Sequence, residues 1–163
     1  MPAGVSAITA LANLTLSSSQ ATVNFTSIST SFRDLRVVIT GTSNSTAFFR
    51  INGEGSGGPY SLVTMESNSA SVFSSSAVSN TAPVVWNTSG FNVGGVGCWN
   101  LDFFDYAQTD KHKPILSRFS IMSGASNVFC YRYTNTAAIT SIEFNSGGTW
   151  GAGTTFTLYG VSS

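Results

Sequence analysis

Charge is what this chain has least of: 9% of its 163 residues are Asp, Glu, Lys or Arg, where about 25% is usual in a soluble domain. Seven basic side chains balance seven acidic ones, so the long-range field that draws a protein to nucleic acid or to an anionic membrane is missing. No apolar run approaches the eighteen or so residues of a membrane-spanning helix. No Lys or Arg precedes Arg33, so the N-terminus lacks the basic start of a secretion signal and none is expected. A single histidine, His112, and two distant cysteines, Cys98 and Cys130, give no close pair of zinc ligands. Windows with helical periodicity and helix caps are absent too, because β-branched residues and Ser dominate throughout.

What is present is an apolar, aromatic chain, 42% hydrophobic and 12% Phe, Trp and Tyr, too apolar for disorder. Its surface must be built mostly from Ser, Thr, Asn and Gly, which leaves little electrostatic protection against self-association. Apolar residues alternate with polar ones at Val23 and Phe25, at Leu35, Val37 and Ile39, and at Ala47, Phe49 and Ile51. The same period recurs at Trp99, Leu101 and Phe103 and at Phe119 and Ile121. Short strands separated by Gly, Ser and Asn turns predict an all-β fold, an antiparallel two-sheet jelly-roll-like β-sandwich. The expected organisation is an N-terminal arm and first strand over residues 1–20 and the sandwich over 21–163. The cysteines are expected to be buried free thiols.

Chemistry finds little support. His112 sits among Asp110, Lys111 and Lys113, in Tyr106 to Pro114, a stretch read as a solvated turn. Nothing there orients a base beside a nucleophile. Asp102 and Asp105, three apart on a strand, point to opposite faces and cannot work as a carboxylate pair. The stretch Ile51 to Tyr60, INGEGSGGPY, lacks the Lys-Ser/Thr ending of a phosphate loop and reads as a strand-to-strand turn. No catalytic residue, metal or cofactor is expected. Contact with partners is better represented. Ser67 to Thr81, SNSASVFSSSAVSNT, reads as an extended loop covering one sheet or reaching a neighbour, whose Val72, Phe73 and Val78 should be buried somewhere. Phe48, Phe104, Tyr131 and Trp150 fall where the alternation points to a second face or a loop, as in aromatic platforms for sugars or proteins. The uncharged segment Met1 to Leu16, with Val5, Ile8, Leu11 and Leu14, is suited to adding a strand to a neighbour. Candidate partner-binding residues are therefore Val5, Ile8, Leu11, Leu14, Val72, Phe73 and Trp150.

The C-terminal run Ile139 to Val161, ITSIEFNSGGTWGAGTTFTLYGV, carries a resemblance through Ile139, Ile142, Trp150, Gly153, Phe156, Leu158, Tyr159 and Gly160. It resembles the ending of small β-rich virion proteins of tailed bacteriophages. Leu35-x-Val37-x-Ile39-Thr40-Gly41, Phe49-Arg50-Ile51-Asn52-Gly53 and Tyr60-Ser61-Leu62 are similar to the front half of the same group. Together these motifs cover about a third of the chain. Their own chemistry is structural, with Phe156 and Leu158 filling a core and Gly160 ending the strand. The resemblance implies a jelly-roll virion component located on the capsid surface or tail and assembled in the host cytoplasm. Foremost is a capsid decoration or cement protein, often a trimer, bound to the major capsid protein or another virion protein. It also admits a tail-fibre or tail-tip module recognising host-surface glycans; a secreted carbohydrate-binding module stands outside it. Neither nucleic acid nor membrane is an expected partner.

Overall fold

A computed structural model describes residues 7–162 apart from 56–57, 69–70, 81–83, 87–94 and 123, with the side chains of 68, 73, 78–80 and 84–86 also outside the description. Among the described residues twelve strands are formed. They are β1 (Ile8–Thr15), β2 (Gln20–Phe25), β3 (Asp34–Gly41), β4 (Ala47–Ile51), β5 (Tyr60–Asn68) and β6 (Val72–Asn80), then β7 (Val84–Trp86), β8 (Gly97–Phe103), β9 (Lys113–Ile121), β10 (Ala125–Tyr133), β11 (Ile142–Trp150) and β12 (Thr155–Val161). All pair antiparallel, in an eight-stranded sheet of order β1-β12-β3-β8-β9-β10-β5-β6 and a four-stranded sheet of order β2-β11-β4-β7. The chain is thus an antiparallel two-sheet jelly-roll-like β-sandwich.

Period-2 alternation sorts the side chains. On β10, Ala125, Asn127, Phe129, Tyr131 and Tyr133 are buried while Ser126, Val128, Cys130 and Arg132 are exposed. On β3, Leu35, Val37 and Ile39 point inward, and on β4 Ala47, Phe49 and Ile51 do the same. Phe49 stands at the centre of the sandwich, edge-on to Tyr60, Phe103 and Tyr131 at 6.1, 5.6 and 5.6 Å. Such edge-to-face rings add about 0.5–1.5 kcal/mol per pair to what area burial supplies. Tyr60 also accepts the Ile51 N–H through its hydroxyl, at 2.9 Å.

The residues of the C-terminal resemblance are the keel of this core. Ile139, Ile142, Trp150 and Phe156 are fully buried, and Leu158 is nearly so. β11 belongs to the small sheet and β12 to the large one, so the motif is the corner that ties the two layers, turning at Gly153 with a φ of 82°. Gly160 does not end its strand as expected; β12 runs through Val161. A Cβ at Gly160 would lie 2.4 Å from the Phe32 ring, so glycine is there to let that ring lie flat on the strand. Gly41 is similar, with φ of 153° and a Cβ position 2.6 Å from the Thr154 backbone.

Two expectations for connecting segments are corrected. Ser67 to Thr81 is not an extended loop. Its described part completes β5 and forms β6, paired from Ser67↔Val72 to Leu62↔Ala77. In Tyr106 to Pro114, His112 is exposed as expected, but Lys113 is buried. Its ammonium donates to the carbonyls of Thr136, Lys111 and Asn135 at 2.5, 3.2 and 3.5 Å. Burial pushes its pKa down.

Candidate protein-contact surface

Trp150, offered above as a contact residue, is a core residue. It is fully buried, edge-on to Trp99 at 6.0 Å and to Phe156 at 5.1 Å. The expectation failed because the Gly147–Gly148 stretch reads as a loop, whereas β11 continues through it and keeps Trp150 in phase with Ile142 and Phe144. Tyr131 is likewise buried, stacked on Phe129 at 6.0 Å, and desolvation holds its pKa well above the ordinary tyrosine value. Phe48 and Phe104 are half-buried. The aromatics that would have formed a sugar platform are thereby mostly used up in packing.

Ile8 and Leu14 are exposed at 46% and 40%. They lie on β1, which is not a free arm: it pairs with β12 from Ile8↔Val161 to Thr15↔Thr155, with a bulge between Ala10 and Ala12. Leu11 is half-buried and lines, with Ala12, Phe25, Ile28 and Leu158, a cleft of about 240 Å³ between the sheets. Val72 is exposed at 76% on β6. Val5 and the Phe73 side chain lie outside the described residues.

The structure brings together a group that the sequence reading missed, on the outer face of the large sheet. Val63 and Met65 of β5 are exposed at 57% and 62% and Val128 of β10 at 38%. The register places them side by side, with Val128 opposite Met65 and Cys130 opposite both Val63 and Leu116. Cys130 is exposed and Cys98 half-buried, and both are free. This corrects the expectation of buried thiols. The two strands flank β9, about 10 Å apart, and beyond disulfide reach. Shallow clefts of about 340 Å³ flank the patch: one on the β5–β6 side lined by Ser61, Val63, Ser76 and Arg132, the other towards β8 lined by Cys98, Asn100, Arg118 and Ser120.

Polar groups elsewhere are engaged structurally. The nearly buried Asp102 carboxylate accepts Arg36 Nε at 2.6 Å and an Arg118 Nη at 3.2 Å, a clamp across β3, β8 and β9. Asp105 pairs with Lys111 at 3.2 Å. Asn52, in the turn after β4, takes positive φ and anchors residues 138–141 through the Ala138 carbonyl and the Thr140 and Ser141 amides, as its reading as a turn requires. Ser117 Oγ and Asn127 Nδ2 are buried on the inner face with no hydrogen-bond partner among the described residues. No three His, Cys, Asp or Glu side chains gather to hold a metal among the described residues.

No family model and no curated protein sequence matches the chain. Solved structures with a similar course include the exo-inulinase of Aspergillus awamori, at 13% identity and a TM-score of 0.46, covering 94% of this chain and 29% of that one. The galectin LEC-6 of Caenorhabditis elegans follows at 11% identity and a TM-score of 0.39, covering 93% and 96%. The alginate lyase Aly36B is similar at 12% identity and a TM-score of 0.39, covering 91% and 77%. The chain spans less than a third of the inulinase. Likenesses this distant bear on neither substrate nor partner.

Proposed function

We propose that this chain is a structural protein of a bacteriophage virion, whose work is to hold protein partners, and that its foremost reading is a capsid decoration or cement protein seated on the major capsid protein. The observation that carries the binding role is the patch of Val63, Met65, Val128 and Cys130 on the outer face of β5 and β10. Apolar side chains lined up on a sheet face, with no covering layer among the described residues, favour a surface for another protein. The virion assignment rests on the resemblance in β3, β4, the start of β5, β11 and β12, whose residues define the fold rather than a site. No reaction is assigned to the chain.

Burial of Trp150 and Tyr131 takes two of the four candidate platform aromatics out of reach of a glycan and leaves Phe48 and Phe104 half-buried, which favours a protein partner over a glycan. The N-terminal segment keeps a contact role through the exposed Ile8 and Leu14. Deleting it whole is a poor test, because β1 covers the edge of β12. The better experiment is immunogold labelling of phage particles carrying the protein, alongside particles with Met65→Lys. Labelling spread over the heads, lost with the substitution, is the expected result. Labelling confined to the tail tip would replace decoration with a receptor-binding role, and absence from particles would end the virion reading.

A further inference from the structure

We infer that β6 is a self-pairing edge, through which two copies of this chain join their large sheets about a two-fold axis. β6 is the last strand of the eight-stranded sheet, and among the described residues no strand pairs with its far side. Natural proteins protect such edges with charge, proline, bulges or short length. This one has none of these over Val72–Ala77: the sequence VFSSSA carries no charge and no proline, and its pairing with β5 is regular from Ser67↔Val72 to Leu62↔Ala77. Ser74, Ser75 and Ser76 are exposed and too small to obstruct a neighbouring strand.

Hydrogen-bond direction fixes which groups are on offer. The Ser75 N–H points at β5, donating to Thr64 Oγ1 at 3.2 Å. Because N–H and C=O groups alternate sides along a strand, those of Val72, Ser74 and Ser76 point away from the sheet. An antiparallel partner that keeps inner and outer faces matched must pair residues of the same parity. A two-fold axis at Ser74 does so, setting Ser74 against Ser74 and Val72 against Ser76 of the second copy. Three outward-facing pairs then form, with two hydrogen bonds each.

A second copy is the partner this edge fits because the strand is uncharged and the arrangement is isologous, so each contact is made twice. The other edges are poorer candidates: β1 is broken in its middle by the bulge at Ala10/Ala12, β7 has three residues, and β2 pairs regularly with β11 only over Thr22–Phe25, whereas β6 shifts register only beyond Ala77. Pairing through β6 also carries the Val63 and Met65 rows across the seam, since β5 adjoins β6, and so enlarges the contact face. A two-fold pair departs from the trimer that the resemblance implies. The inference does not rest on the virion reading, and the purified chain tests it alone.

Light scattering over a rising concentration series should give a mass of twice 17.1 kDa for the intact chain. Ser74→Pro, which removes an outward N–H, and Ser76→Lys, which puts two like charges at the seam, should each weaken the dimer at least tenfold with an unchanged circular-dichroism spectrum. Asn24→Lys, an exposed position on the β2 edge, should leave it intact. If Ser74→Pro disturbs the fold, Ser76→Lys alone decides, since it alters only an exposed side chain. A monomer up to millimolar concentration, a trimer, or a dimer indifferent to Ser76→Lys would overturn the inference.

Discussion

The two sheets present opposite kinds of outer face. On the small sheet, polar groups close on one another: Thr22 donates to Asn145 at 2.8 Å, Asn145 to Glu143 at 2.5 Å, and Arg50 pairs with Glu143 at 3.3 Å. The Arg50 guanidinium also lies 5.2 Å from the centre of the Phe48 ring, which it helps to cover. The β10–β5–β6 end of the large sheet shows Val63, Met65, Val128 and Val72 beside an uncharged edge. A chain with so few charges has used several of them to finish one face and to clamp the middle of the large sheet through Asp102, leaving at one end an apolar row with Arg132 as its exposed charge on β10. That asymmetry, rather than composition alone, is the physical basis for assigning a contact surface.

The comparison breaks most completely if the aromatics are platforms instead of core. Trp150→Ala should cost about 3–5 kcal/mol of stability, seen as a large fall in melting temperature; a stable variant that loses only adhesion would restore the sugar-binding reading. Alkaline titration gives the next effect. Burial raises the pKa of Tyr60, Tyr131 and Tyr133 above the ordinary 10.0, so above pH 10 the folded state keeps protons that the unfolded chain releases, and stability falls as pH rises. The loss is about 1.4 kcal/mol per tyrosine for each pH unit. Tyr106 is raised by burial as well, so four tyrosines act in this direction, whereas Lys113, with its pKa lowered, works in the opposite direction only below its unfolded value of 10.5. Chemical unfolding at pH 9 and pH 11 should show the net fall.

Smaller effects separate the faces themselves. Asp102→Asn should cost about 1–2 kcal/mol by leaving Arg36 and Arg118 without their shared carboxylate, measured by urea denaturation. Met65→Lys should change stability by less than about 0.5 kcal/mol while abolishing attachment to particles. Glu143→Ala, on the finished face, should cost about 0.3–0.5 kcal/mol and leave attachment unchanged. If Glu143→Ala and Met65→Lys had equal effects on attachment, the distinction between the faces would fail.

Much of the sandwich is legible in the sequence wherever one face is apolar and the other polar, as at Leu35, Val37 and Ile39 on β3 and Phe119 and Ile121 on β9. Reading fails where that contrast is absent. β6 has a serine run with no apolar alternation, because an edge strand exposed on its flank need not bury a row of its own. Tyr131 is misread because Val128 and Cys130 put apolar residues on the outward side of β10 too. The outward apolar residues are thus the cause of the error. Lys113 looks like a loop residue because its acceptors at 135 and 136 are distant in sequence. The patch itself needs register: Met65 and Val128 are neighbours only once β5 and β10 are paired.

Hydrogen–deuterium exchange of the purified chain at low and high concentration tests the asymmetry most directly. The account requires the outward amides of Ser74 and Ser76 to slow as concentration rises while those of β2 are unaffected. Protection appearing on β2 instead, or on neither edge, would contradict it.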